Sequence, residues 1–448
     1  MPATVTCAAA LGLLMASPLL AAAAPAAEPP PVEPAPPADA AVPAATPADA
    51  AAPTPATTPA PAAAPTPAAT PAPAPAATPA KTARPMLSGT LKAELRGAFI
   101  VNLAYNQGTL YPGSFAYFAL PSAVSAPQFL ISPANTVVGF KLSGLTFGSA
   151  DITGALDVNL RSPSPLITAN TLAPQFYDVH MQLEFDRWRL IVGQYPDVIL
   201  PVIPDTVNSY PAGYVPGAMG YVHPQLRAEV RLPVGKKFQA IGQFSINRPV
   251  QTFDLTDGIV GRQAGVPDVQ GRVAIAAGHS DKPWQRPMEV GVGGHAGRRR
   301  ITIVQDKQDM EFTTWSVAAD LRLRLPWGML VKARIWRGRL LGDFAAGIFQ
   351  TVDTTTFVSI RASGMWFELQ QQLNDRWRAT AVYGRDNPDD ADLSPGNRSL
   401  NQEALLNLLW DVTKTIGFGW EVSRWATSYL GAPTTRLWRG DLLFFLRF

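Results

Sequence analysis

Residues 87–105 read LSGTLKAELRGAFIVNLAY. Leu91, Ala93, Leu95, Gly97, Phe99, Val101, Leu103 and Tyr105 alternate there with Lys92, Glu94, Arg96 and Asn102. Successive side chains on a strand point to opposite faces, so the segment has one apolar and one polar face at a period of two. The same rhythm returns as Ile152, Gly154, Leu156, Val158 and Leu160 against Asp151, Thr153, Asp157, Asn159 and Arg161. It returns again as Tyr177, Val179, Met181, Leu183 and Phe185 against Asp178, His180, Gln182 and Glu184. No long helical period occurs beyond residue 86.

The alternation predicts sixteen strands, at 87–105, 136–147, 150–161, 175–185, 188–194, 225–233, 238–247, 268–278, 288–300, 313–325, 328–336, 356–372, 377–384, 400–412, 416–425 and 436–448. Their connections sort by length. Those at 106–135, 162–174, 195–224, 248–267, 337–355 and 385–399 are long, whereas Gly148-Ser149, Asp186-Arg187, Val234–Lys237, Pro326-Trp327 and Thr413–Thr415 are tight, with 279–287 an exception. A sandwich has no reason to sort its loops so. Long and short connections alternating around an even strand number are the pattern of an outer-membrane barrel.

Composition agrees. Of 448 residues, 16% are charged and 47% hydrophobic, against about 25% charged in soluble proteins. The longest uncharged stretch, 97–140, is broken by Asn, Gln, Ser, Gly and Pro, so it offers no helical span. Tyr177 and Phe185, Trp377 and Tyr383, and Trp438 and Phe448 stand near strand ends on the apolar face, as interfacial girdles do. The chain closes on alternating Leu442, Phe444, Leu446 and Phe448, resembling the C-terminal assembly signal of outer-membrane barrels. The fold class is therefore all-β: a transmembrane antiparallel barrel over 84–448, placed in the cell outer membrane.

The front end differs. Residues 1–24 hold an apolar run, Ala8 to Leu20, followed by Ala21 to Ala24, and read as a signal peptide without a basic start. The lone cysteine, Cys7, falls inside it, which excludes a disulfide framework and a cysteine metal site. A retained anchor helix is the rival reading. Residues 25–83 contain 19 prolines alternating with Ala and Thr; proline lacks an amide donor, so the segment favours extended polyproline and cannot pack a core. At about 3.1 Å per residue it spans up to ~180 Å, as an inert disordered linker or as a reach to peptidoglycan.

Sixteen strands enclose an aqueous channel, where about eight are filled by side chains. Diffusion of small hydrophilic solutes follows, with selectivity set by wall charge and any inward loop. The polar strand phases turn inward Lys92, Arg96, Lys141, Arg161, Arg189, Arg227, Arg231, Arg272, Arg322, Arg324, Lys332, Arg334, Arg361, Arg378, Arg439 and Arg447. The acids there are Glu94, Asp151, Asp157, Asp178, Glu184, Glu229, Glu289, Asp320, Glu403, Asp411, Glu421 and Asp441. Guanidinium matches carboxylate and phosphate in bidentate fashion. The basic excess thus predicts a weak anion preference, with Arg96, Lys141, Arg227, Arg231, Arg272, Lys332, Arg334 and Arg361 lining the pore. The competing expectation is that these charges pair across strands and stiffen the wall.

The connection 195–224 is the expected constriction. Folding inward would bury Val198–Ile203 and present Asp197, Asp205 and Tyr210 to the pore; a plain surface loop or a subunit contact is the alternative.

The architecture, the terminal Phe448 and the alternation over 84–448 resemble trimeric outer-membrane porins. Gly193-Gln194-Tyr195, Pro204-Asp205-Thr206 and His223-Pro224-Gln225-Leu226-Arg227 resemble the DcaP-like porins among them. The resemblance implies a homotrimer and uptake of dicarboxylates or related small anions. That family's helical coiled-coil extension is replaced here by Pro/Ala sequence without heptads.

Two rival readings remain. One is a plugged barrel whose 25–83 arm tethers outer membrane to cell wall. The other is a barrel enzyme built on His180, the histidine flanked by Asp178 and Glu184; its more economical role is a wall hydrogen bond, and no catalytic set is assigned. The four histidines lack metal-ligand spacing, and Gly291, Gly293 and Gly294 lie in a strand without a following helix, so neither metal nor cofactor is implied. A net charge of +3 does not argue for nucleic acid. Arg298-Arg299-Arg300, at a strand's outer end, suits lipopolysaccharide phosphates amid outer-membrane lipid.

Overall fold

A computed structural model describes residues 87–112, 115–160, 174–211, 213–248, 259–263, 265–278, 287–303 and 308–448. The expected signal peptide, the Pro/Ala linker and Arg161 lie outside the described residues. Among the described residues, sixteen strands form one closed antiparallel wall, and the short strands Gln128–Ser132 and Ile259–Gln263 add to it beside residues 102–106 and 299–303. The sixteen begin with β1 Leu87–Asn106, β2 Val137–Phe147, β3 Ala150–Asn159, β4 Gln175–Glu184, β5 Trp188–Pro196, β6 Val222–Val234, β7 Phe238–Asn247 and β8 Asp268–Ala277. The second half comprises β9 Met288–Ile303, β10 Gln308–Arg324, β11 Met329–Arg339, β12 Arg361–Gln372, β13 Trp377–Pro388, β14 Arg398–Asp411, β15 Ile416–Tyr429 and β16 Ala432–Arg447. β16 returns to β1, with Ala98 opposite Arg447 and Asn106 opposite Arg439. Closure pairs both edges, the arrangement lipid demands of a sheet.

The period of two sets which face meets lipid. On β1, Leu91, Leu95, Phe99 and Tyr105 are exposed on the outer face while Ile100, Asn102, Ala104 and Asn106 are buried inside. At the end with the short turns, Trp377 stacks on Trp410 with centroids 5.2 Å apart, and the row continues through Trp420, Phe418 and Phe444. These rings form one arc of an interfacial girdle.

Two expectations of phase are corrected. The strand expected over 356–372 begins at Arg361; residues 356–360 belong to the preceding connection, where Val352 and Ser359 form an isolated bridge. Within β12 the inward set is Trp366, Glu368 and Gln370, and Met365, Phe367 and Leu369 face outward. Arg361 stands in that outward phase, at the rim, rather than in the bore. Tyr177 likewise leaves the expected girdle. The register shifts between Asp157 and Val158, Tyr177 becomes the extra residue of a bulge, and exposed Phe176 takes the outward place.

Candidate functional site: inward connections and a charged wall

The connection between β5 and β6, residues 197–221, folds into the barrel. Val198, Ile199, Val207, Val215 and Met219 are almost wholly buried, which an open-water loop of this composition would not achieve. Wall side chains hold it by its backbone. Lys332 Nζ donates to the Ile203 carbonyl at 2.8 Å, Asn407 to the Asp205 carbonyl at 2.8 Å, Trp336 Nε1 to the Gly217 carbonyl at 2.7 Å, and Arg334 to the Met219 carbonyl. Acceptors answer on other strands: Glu368 takes the Asp205 amide at 2.7 Å and Glu421 the Val207 amide at 2.7 Å. Gly384 leaves room for the approach, since a Cβ there would lie 2.2 Å from the Pro216 carbonyl oxygen.

Two further connections join it. Residues 115–119 present the Ala116 amide to Asn208 Oδ1 at 3.0 Å, and Tyr429 donates to the Ala119 carbonyl. Between β11 and β12, residues 340–360 turn inward and pack Ile348 and Phe349 against Phe118, Val202, Tyr214 and Trp366. A second apolar cluster places Phe344 with Ile199, Met219 and Trp336. This interior core was not read from the sequence. Its signal was the apolar run Phe344–Phe349 within the long connection 337–355.

The expected constriction residues divide. Asp197 does not face the bore. It is buried at the root of the connection, where it accepts from Tyr221 N at 2.8 Å, Gln270 Nε2 at 2.9 Å and Asn247 Nδ2 at 3.3 Å, and meets His223 Nδ1 at 2.8 Å. Burying a carboxyl group costs free energy unless hydrogen bonds replace those it made to water, and here four partners do so. Asp205 accepts from Gln370 and stands 3.5 Å from Lys332 Nζ. The Tyr210 ring stacks on Phe445 at 5.6 Å, and its hydroxyl accepts from Arg447.

Most of the expected pore-lining cations are engaged within the wall. Arg189 and Arg227 share the carboxylate of Glu229, and Gln243 also donates to it. Arg272 binds Asp320 through Nε at 2.9 Å and Nη2 at 2.5 Å, Glu289 at 2.8 Å, and Gln243 Oε1 at 3.0 Å. A continuous belt thus runs Arg189–Glu229–Gln243–Arg272–Asp320 across β5, β6, β7, β8 and β10. Arg231 donates to Gln239 at 3.4 Å. Lys332 meets Glu368 at 2.9 Å, a carboxylate the displaced β12 phase had hidden. Arg361, outside, binds Asp392 at 2.7 Å and stands 3.4 Å from Asp389.

The wall from β1 to β4 is different. Arg96 reaches Asp157 in a bidentate pair at 3.1 and 2.6 Å. Gly139 lies between them in the register, and a Cβ there would sit 2.0 Å from Asp157 Oδ1. Lys141 lies opposite Glu94, and both are exposed on the inner phase. His180 pairs with Asp178 at 2.5 Å and meets the Tyr195 ring edge-on at 4.6 Å. His295 is buried between Ser316 Oγ at 2.6 Å and Thr314 Oγ1 at 2.9 Å. Among the described residues no cluster of three His, Cys, Asp or Glu has the spacing of a metal site.

A closed wall of sixteen antiparallel strands with its third long connection folded inside defines the class of porin-type outer-membrane barrels. Among solved structures, the chain is similar to the outer membrane channel DcaP of Acinetobacter baumannii, at 15% identity and a TM-score of 0.64, over 80% of this chain and 97% of that one. It is also similar to an anion-selective porin from Comamonas acidovorans, at 10% identity and a TM-score of 0.52, over 80% of this chain and all of that one. At such identities the likeness is one of fold, and it is the fold expected from the DcaP-like motifs. No family model and no curated protein matches the sequence.

Proposed function

We propose that the protein is an outer-membrane porin that passes small hydrophilic solutes by diffusion, with a weak preference for anions such as carboxylates. One observation carries this: the inward connections dock mainly on β8 and β11–β16 and on β1, while Lys92, Glu94 and Lys141 stay exposed on the inner face of β1 and β2. A passage along that side is lined by Lys92, Arg96 and Lys141 against Glu94 and Asp157. The small basic excess favours anions at short range in a narrow aqueous bore. Assembly as a homotrimer belongs to the same reading and rests on the resemblance to trimeric porins.

The large apolar core inside the barrel favours a second reading, a barrel largely plugged by its own connections. Single-channel current across a planar bilayer under a salt gradient separates the two. Discrete steps with an anion-directed reversal potential are expected of the porin, and Lys141→Glu should move that potential toward cations. A folded barrel that yields no steps sinks the porin reading and leaves the plug.

A further inference from the structure

On β8–β13 the outward residues line up across the register. One row runs Gly271, Gly294, Val317, Arg337, Ser363 and Asn387. The next, toward the short-turn end, runs Val273, Val292, Ala319, Ile335, Met365 and Arg385. They line a groove of about 1020 Å³ on the outer wall, at the top of the range of about 300–1,000 Å³ that ligand sites occupy. Gly271, Gly294, Ala319 and Ser363 project little and form its floor. Val273, Val292, Val317 and Ile335, each more than half exposed, form apolar ridges.

Two guanidiniums stand in this lining. Arg337 is 62% exposed and lies 3.9 Å from Asp389; Arg385 donates to Asn387 Oδ1 at 3.0 Å. Just beyond, toward the long connections, the same outward phase carries Arg298, Arg339 and Arg361. Arg299 turns inward to Asp268 and Asp343, so the Arg298–Arg300 run is not one patch. The nearby acids are few: Glu311 holds Arg300, and Asp389 and Asp392 hold Arg361.

We propose that this groove binds one phosphorylated, acylated lipid of the outer leaflet. The Arg337 and Arg385 forks take its phosphate, and the apolar trough takes its acyl chains. Guanidinium suits phosphate because two parallel donors meet two oxygens. Charge speaks against a second copy of this chain as occupant. Among the described outward strand positions the acids are Asp309 and Glu311, both at the long-connection end of β10, and Glu311 already holds Arg300, so another copy brings little charge to meet Arg337 and Arg385.

The test uses the refolded protein in detergent, with bound lipid read by native mass spectrometry. The probes are bis-phosphorylated hexa-acyl lipid A, its dephosphorylated form, and phosphatidylethanolamine. One retained bis-phosphorylated molecule per barrel is expected, with at least tenfold weaker retention of the other two. Arg337→Gln/Arg385→Gln should lose that preference, and Arg337→Lys/Arg385→Lys should keep part of it. Gly271→Leu, at a position where a Cβ meets nothing nearer than 4.0 Å, should lower retention with all charges intact. All variants should conduct as the parent does, because these residues face away from the bore. Equal retention of the dephosphorylated lipid, or unchanged retention by both the Gln and the Leu variants, overturns the proposal. A Gly271→Leu protein whose oligomer falls apart, in a parent that holds no lipid, overturns it in favour of a second copy.

Discussion

Arg272 spreads its guanidinium over Asp320, Glu289 and Gln243 inside the wall. Replacing it with Met would leave Asp320 buried without its cation, a change that costs about 3–5 kcal/mol when one partner of a buried pair is removed. The expected outcome is a lower temperature for the loss of compact migration on unheated gels, with Asp320→Asn/Arg272→Met recovering part of it. Asp353 makes a different kind of knot. It accepts from Thr355 N, Thr356 N and Oγ1, Ser394 N and Oγ, and Asn397 Nδ2, clasping residues 340–360 to 389–397. Burial works against its charge, but the amides of Thr356 and Ser394 outweigh it and hold the carboxyl below the usual aspartate range. The clasp therefore contributes fully above the ordinary aspartate value of about 3.9 and is withdrawn as pH falls through the lowered folded value. Limited proteolysis should cut 353–360 faster in strong acid than at neutral pH, and Asp353→Ala should cut fast at both. The inward cations were legible because Arg96, Arg227 and Arg272 sit in clean alternation. Their partners were not, because pairing depends on which strands become neighbours and on the register between them.

At the scale of elements, apolar alternation located the wall strands and failed where a connection imitates one. Val358 and Ile360 continue the phase of Ala362, Gly364 and Trp366 backwards, yet they belong to the inward connection, and that single slip put Arg361 inside and hid Glu368. A bulge at Tyr177 did the same to one girdle residue, since a bulge leaves no mark in a period of two. The connection 197–221 was readable as an inward loop from its apolar run; its anchors were not, because Lys332, Glu368, Asn407 and Glu421 lie more than a hundred residues away. Gly384→Ala tests the docking directly. A methyl 2.2 Å from the Pro216 carbonyl should push residues 215–218 off the wall, raising single-channel conductance and noise while the barrel stays folded by circular dichroism.

For the molecule as a whole, the seam between β1 and β16 decides closure. Just past the end of β16, Phe448 N donates to the Gly97 carbonyl at 3.1 Å, and Gly97 N within β1 donates to the Phe448 carbonyl at 3.0 Å. A Cβ on Gly97 would come within 3.0 Å of the Phe448 ring, so the terminal aromatic covers the seam at its short-turn end. Truncating Phe448 should lower the yield of compactly migrating barrel several-fold, and amide exchange should quicken first at Ala98–Val101. The interior core has a consequence in time. Tyr429 bonds Ala119 across 310 residues and Glu421 bonds Val207 across 214, separations that delay contact formation. The first of these bonds exists only once β16 has closed on β1, and the second ties the connection after β5 to the distant wall at β15, so the vessel must be assembled before its contents are stowed.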